Sequence, residues 1–343
     1  MGLFAIQPVY ARHRHGAGRH NDQHGTPEKH AHQQRRRLGG CLTLLAAIVW
    51  GGLAQADTLR LASFDVELTR KGPGLLLRDI LKGKDKQIAA VIDVITQVSP
   101  DVLVLQAFDH DLENRTLRAF QTTLEVAGHK MPYIFAARPN SGLASGLDLD
   151  GDGKLNTPRD SQGYGNFTGQ GGMAVLSRFP LGEVRDFSDF QWRDLPGAML
   201  PTHADGSPFP SANAQAAQRL SSVAHWDVPV DLPNGQTLNL LTYHGSTPAF
   251  DGDEDRNGRR GADEALFWTH LLDGTLPYPA PTPPFAIIGQ ANIDPKDGDG
   301  RHEAITTLLS DPRLIDPAPT GSEGNDTADW SAIGVGKLRA SYI

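Results

Sequence analysis

The chain has 343 residues, 39% of them hydrophobic and 21% charged, with 37 Gly and 24 Pro, which fits a soluble globular protein rich in loops. The formal net charge is −8. Residues 1–56 hold seven Lys/Arg and two Asp/Glu, so 25 basic and 38 acidic residues remain beyond them, a net of −13. Such a surface repels long polyanions, which disfavours generic nucleic-acid binding, while its local acidic clusters invite divalent cations.

Residues 1–34 are rich in His, Arg and Gln and show no apolar period. Arg35, Arg36 and Arg37 then precede an uncharged apolar run from Leu42 to Leu53, and Ala54-Gln55-Ala56 stands before Asp57. A basic flank, a short apolar stretch and an A-x-A site are the three parts of a secretory signal peptide. The run is too short to span a bilayer. Residues 1–56 therefore read as a leader and 57–343 as the mature domain, secreted or periplasmic and without a membrane anchor. The single cysteine, Cys41, falls in the leader, so the mature chain has no thiol or disulfide chemistry.

Leu59 to Val66 alternates as a strand, and Gly72-Pro73-Gly74 breaks the chain after it. Ile88, Val91, Ile92, Ile95 and Val98 recur at helical spacing up to Ser99-Pro100. Asp101 to Leu105 is a near-continuous apolar run, as in a strand covered on both faces. A second helix is expected over about Glu113–Ala127, then a loop-rich stretch over 137–172. Strand signals return at Met173–Leu176, Leu220–Val228 and Leu238–Tyr243. The last two flank Pro233-Asn234-Gly235 and read as a hairpin. A helix near Asp263–Leu272, a strand at Phe285–Ile288 and a helix near His302–Leu309 complete the pattern. Interleaved strands and helices with a late hairpin imply a layered α/β domain with mixed sheets. No second domain boundary is visible.

Several strands finish on polar residues: Asp65, Gln106-Ala107, His244, and Gln290 with Asn292. Side chains alternate along a strand, so Gln290 and Asn292 share one side of their strand tip. His244 is a candidate electrophilic or acid-base group, otherwise a hydrogen-bonded surface residue. Asn292 is a candidate for orienting an oxygen, or a turn former before Asp294-Pro295. Arg219 is a candidate phosphate contact or a surface arginine. Asp148, Asp150, Asp152 and Asn156 fall at positions 1, 3, 5 and 9 of a calcium-loop pattern, with Gly153 at the turn. Arg159 occupies the twelfth position, where Asp160 would have to supply the missing bidentate ligand. A structural Ca2+ site and a solvated acidic loop are the two readings.

The order of these strand ends, Asp65, Gln106-Ala107, His244, Gln290-x-Asn292 and Leu338-Arg339-Ala340-Ser341-Tyr342, resembles the endonuclease/exonuclease/phosphatase superfamily over about 57–343. The runs 72–79, 169–178 and 297–304 are similar to a secreted bacterial subgroup of it. The resemblance implies a four-layer α/β sandwich with two packed mixed β-sheets, deoxyribonuclease I-like. It also implies hydrolysis of small phosphorylated substrates with Mg2+ or Mn2+; Asp65, itself a departure from the pattern, is a hypothesis for a replacement metal ligand. The chain departs from the family pattern at four positions. Asp65 stands where the family has Asn, Ala107 where Glu holds the metal, Gln290 where Asp acts on the nucleophile, and Ser341 where an Asp precedes Tyr. The pattern's last strand, with its His, is not reached by Ile343. Ala107 offers no ligand, and the Gln290 amide is no base at any relevant pH. The expectation is therefore impaired hydrolysis, or a non-catalytic module that binds phosphorylated ligands on the same fold.

Overall fold

The computed structural model describes residues 4–6, 58–318, 320, 324–326, 328–329, 337–339 and 341. The chain divides into two compact units, residues 1–10 with 58–343, and residues 11–57; the second lies outside the described residues, and with it the signal-peptide motif. Among the described residues no helix is long and apolar enough to cross a membrane.

One sheet has the strand order β1 (Phe4–Ile6), β2 (Leu61–Leu68), β3 (Val102–Phe108), β5 (Gly172–Ser177), β4 (Tyr133–Phe135). The other runs β6 (Arg185–Asp186), β7 (His225–Asp231), β8 (Thr237–His244), β9 (Phe285–Gln290). β2 is parallel to β3 and β8 is parallel to β9, while the β7–β8 hairpin and the β3–β5 pair are antiparallel, so both sheets are mixed. A short pair, β10 (Ala328–Asp329) with β11 (Lys337–Leu338), completes the strands.

Period-2 alternation explains the layering. In β3, Leu103 and Leu105 join the cluster beneath helices α1 (Leu75–Lys82), α2 (Lys86–Val98) and α3 (Arg115–Val126). Val102 and Val104 face the other way and pack with Met173, Trp226, Val228, Leu240 and Ile288 of both sheets. In β8, Leu241 and Tyr243 instead pack under α5 (Arg256–Leu272) and α6 (His302–Leu309), the outer layer of the second sheet. Two sheets face to face, each covered by helices, form the four-layer α/β sandwich that the resemblance implied.

The elements depart from the sequence reading where glycine or local strain hid the pattern. Helix α1 follows directly on Gly74, a left-handed N-cap at φ 74°, where the sequence showed only a break. Helix α5 begins at Arg256, seven residues before Asp263, because Gly258 and Gly261 dilute its apolar period. The first hairpin strand starts at His225; residues 220–224 are irregular. Asp65 and Ala107 are not the last residues of their strands. β2 runs to Leu68 and β3 to Phe108, and each carries a register shift at that point, with positive φ at Glu67 (47°) and Ala107 (52°). Bulges re-aim side chains beside functional sites.

Candidate active site

Alternation also fixes which polar residues meet. Asp65 continues the series Leu61, Ser63; Gln106 continues Val102, Val104; His244 continues Leu240, Thr242; Gln290 continues Ala286, Ile288. Each series faces the space between the sheets. Asp65 is in register with Gln106, and His244 with Gln290. Two bonds tie the sheets together at this end: Ser63 Oγ donates to the Gly289 carbonyl at 3.2 Å, and Gln106 Nε2 donates to the Tyr243 carbonyl at 3.4 Å. Within the second sheet, a Cβ at Gly289 would lie 2.2 Å from the carbonyl oxygen of its paired residue Tyr243, so only glycine permits this close pairing of β8 and β9. The structure thus brings Asp65, Gln106, His244 and Gln290 together at the carboxyl ends of two parallel pairs, where layered α/β proteins bind ligands.

Gln290 Nε2 donates to Asn292 Oδ1 at 3.0 Å, and Asn292 Nδ2 donates to the Gly245 carbonyl at 2.8 Å. The Asn292 backbone N–H reaches Ser341 Oγ at 3.0 Å. Asn292 has φ 54°, a left-handed conformation that Asn tolerates. Its side chain therefore bridges the tips of β8 and β9 while the residue forms the turn. Asp65 Oδ1 accepts from the Glu67 backbone N–H at 3.1 Å across the bulge. Burial lowers the His244 pKa, opposed by the negative charge of Asp65.

Three atoms of this cluster, Gln106 Oε1, His244 Nδ1 and Gln290 Oε1, are buried without a hydrogen-bond partner. Such atoms are uncommon in folded proteins and costly to leave unmet, which makes this end of the two sheets a candidate for ligand binding. Gln106 is fully buried, and nothing in its spacing singled out its free oxygen. Beyond the tip of β3, Asp109 accepts from the Arg70 and Gly171 backbone N–H groups at 2.8 and 2.9 Å. Burial raises its pKa.

The donor set decides the fit to a metal. Ala107 offers no side-chain ligand atom, and among the described residues Asp65 and His244 have no third His, Cys, Asp or Glu close enough to share an ion. Among the described residues only Asp148, Asp150 and Asp152 form such a group. A hard divalent cation prefers carboxylates, and one carboxylate among amide oxygens does not fit a carboxylate-held Mg2+.

The acidic loop is organised by its own backbone. Asp148 accepts from Gly151 and Gly153 N–H at 2.6 and 2.9 Å, Asp150 from Asp152 N–H at 3.3 Å, and Asp152 from Lys154 N–H at 2.8 Å. Ligand oxygens of the three lie within 4.8 Å of one another. Asp160 does not supply the twelfth ligand. Its carboxylate accepts from Leu149 and Thr157 N–H at 3.0 and 2.8 Å, while Arg159 stands 4.0 Å from Asp150. Arg219 donates to Asn140 Oδ1 at 2.9 Å.

A model of the Endonuclease/Exonuclease/phosphatase family matches residues 77–337. The chain belongs to the endonuclease/exonuclease/phosphatase family. No curated protein matches it. Among solved structures, an endonuclease/exonuclease/phosphatase protein from Beutenbergia cavernae is 17% identical with a TM-score of 0.42, over 74% of this chain and 53% of that one. The chain thus spans about half the length of that protein. Sphingomyelinase C from Streptomyces griseocarneus is 16% identical over 83% of this chain and 82% of that one, with a TM-score of 0.45. A beta-toxin variant from Staphylococcus aureus, with bound magnesium ions, is 13% identical over 82% and 81%, with a TM-score of 0.42. The family is one of metal-dependent phosphoesterases; in this member His244 and Gln290 end their strands, Asn292 follows β9, and Asp65 stands at the β2 register shift.

Proposed function

We propose that the strand-tip cluster binds a small phosphorylated ligand and that this family member hydrolyses it weakly. The observation that carries the reading is the convergence of four polar strand-tip residues with three unmet atoms between the sheets. His244 Nδ1 is an open position for a proton-bearing contact to a phosphoryl oxygen or leaving group. Gln290 and Asn292 orient a ligand oxygen or water through their amides but take no proton from it. The net charge beyond residue 56 disfavours long DNA and leaves phospholipid headgroups and sugar phosphates as ligand classes.

Weak turnover follows from Ala107 and Gln290, the positions that lack the family's carboxylates. The double substitution Ala107→Glu with Gln290→Asp is expected to raise Mg2+- or Mn2+-dependent hydrolysis of bis(4-nitrophenyl) phosphate by about a hundredfold or more, the scale of one restored acid-base group. An unchanged rate in a folded double variant would sink the reading of the site. Cleavage absent from the unsubstituted chain, together with a phosphate-induced rise in melting temperature, would identify a binding module instead.

Export is the companion proposal, supported by Arg35–Arg37, the Leu42–Leu53 run and Ala54-Gln55-Ala56. The mass of the mature protein checks it: a chain beginning at Asp57 supports export, and an intact leader in the secreted fraction refutes that cleavage site.

A further inference from the structure

Helix α5 carries two charged residues, Arg260 and Glu264, one turn apart on its buried side; they are 5% and 0% exposed. Neither belongs to the strand-tip cluster. Arg260 donates to the carbonyls of Gln162, Arg219, Leu220 and Ser221 at 2.6 to 2.9 Å, so its guanidinium gathers the chain that leads into β7. Glu264 reaches two segments at once. Its Oε1 accepts from the Ser222 N–H at 2.5 Å and from Ser222 Oγ at 2.7 Å; its Oε2 accepts from the Ser246 N–H at 2.5 Å. The same Ser222 hydroxyl lies 3.1 Å from the His244 carbonyl. Its single proton is shared between carboxylate and carbonyl.

The helix backbone comes equally close. A Cβ at Gly261 would sit 3.0 Å from the Ser246 carbonyl oxygen, which explains a glycine in the middle of a buried helix where it costs stability. Three contacts thus bracket the turn that follows His244: Ser222 at its start, and the Glu264 carboxylate and Gly261 at Ser246. On the far side of that turn, Asn292 Nδ2 donates to the Gly245 carbonyl. None of the side-chain atoms of Ser222, Arg260 or Glu264 is buried without a partner.

We propose that Glu264 is a positioning residue for His244. Acting through Ser222 and Ser246, and balanced by Arg260, it fixes the backbone from the His244 carbonyl to Ser246 and so aims Nδ1 between the sheets. A side chain held by a rigid second layer keeps the fraction-of-an-ångström placement that catalytic and binding groups need. The proposal rests on the reading of His244 as a ligand-facing group, but its geometry stands apart from any turnover.

The test uses the full chain with uniform 15N labelling. Glu264→Gln removes the charge and one acceptor, and Ser222→Ala removes only the hydroxyl. Asp263→Asn is the control. It lies on the same helix, but its carboxylate accepts from Trp192 Nε1 and the Met199 N–H at 2.6 and 2.7 Å, away from the His244 turn. Glu264→Gln is expected to shift the His244 ring resonances and to speed exchange of the Ser246 amide by about tenfold or more. Asp263→Asn should lower the melting temperature without either change, and Ser222→Ala should shift the ring resonances alone. Unmoved His244 resonances in both Glu264→Gln and Ser222→Ala, or equal shifts in Asp263→Asn, would overturn the proposal. Should Glu264→Gln fail to fold, Ser222→Ala decides. Inorganic phosphate with Mg2+ added to the unsubstituted protein tests the ligand reading separately: His244 resonances that ignore it count against that reading, while shifts in the variants still support the clamp.

Discussion

The strand tips and the layer beneath them are built on opposite terms. In the lower layer the polar atoms of Ser222, Arg260 and Glu264 are met at 2.5 to 2.9 Å, and Arg260 lies close enough to offset the Glu264 charge. At the tips, Gln106 Oε1, His244 Nδ1 and Gln290 Oε1 have no partner at all. A protein leaves buried polar atoms unmet at a cost of about 1–3 kcal/mol each. Here the satisfied layer holds the unsatisfied one in place. The contrast separates residues that make the site rigid from residues that make it receptive, although both sets are polar and both lie near the same turn.

Breaking the satisfied layer should have the largest effect. Arg260→Met leaves four carbonyls without their donor and strands the Glu264 carboxylate without a countercharge. Leaving buried carbonyls without their donor costs about 1–3 kcal/mol for each group, and several kcal/mol together. Urea denaturation should show a loss of that size. A loss under about 1 kcal/mol would mean that the layer is not the rigid half of the comparison.

The two halves were unequally legible in the sequence. His244, Gln290 and Asn292 were visible because an apolar strand ending on a polar residue has a period-2 signature, and Asp65 because it closes an alternating run. Their shared orientation follows from parity, which the sequence also carries. That Ala107 and Gln290 lack carboxylates stands out only against a family pattern. Arg260 and Glu264 were hidden because charged residues on a helix usually face water. Their burial is imposed by loops about forty residues away, and no local period records that. The helix itself was read seven residues short because Gly258 and Gly261 look like breakers, whereas Gly261 allows the approach to Ser246. A glycine between buried-helix positions, followed three residues on by a carboxylate, is the signal that was available. The register shifts at Asp65 and Ala107 had no signal, since neither residue favours positive φ nearby.

A second way to sharpen the contrast uses pH. His225 is 1% exposed, beneath the same helix, with Nε2 2.9 Å from the Glu264 carbonyl and Nδ1 2.6 Å from Ser221 Oγ. A carbonyl only accepts, so Nε2 carries the proton and Nδ1 accepts from the hydroxyl; both nitrogens are used in the neutral ring. Burial pushes the pKa from 6.5 down to about 4, with Arg260 adding to the shift. The unfolded chain therefore takes up a proton before the folded one does. Stability is fully present above about pH 6.5 and is lost as pH falls toward 4, by up to about 3 kcal/mol from this residue. Denaturation midpoints measured across that window should fall with acid in the unsubstituted chain. The slope should flatten in His225→Phe, whose ring fits the surrounding cage of Tyr243, Phe267 and Trp268. An unchanged slope would place the acid sensitivity elsewhere.

The smallest effect is expected at the acidic loop, which tests whether clustered charge or unmet geometry marks a binding place. Asp148, Asp150 and Asp152 concentrate three carboxylates within 4.8 Å, yet their oxygens already accept backbone N–H groups of the same loop, and the twelfth position carries Arg159 beside Asp150. Both features lower the gain from a cation: backbone N–H groups already occupy oxygens of the three carboxylates, and a guanidinium stands where a bidentate carboxylate would complete the shell. Asp148→Ala should therefore cost only about 1 kcal/mol, the loss of two bonds in an exposed loop. Ca2+ binding here is the competing proposal, and a calorimetric titration decides it. Heat with millimolar Ca2+ that vanishes in Asp148→Ala would establish the ion site. Its absence in both proteins would leave the loop as a self-capped turn, in which clustered charge alone marks no binding place.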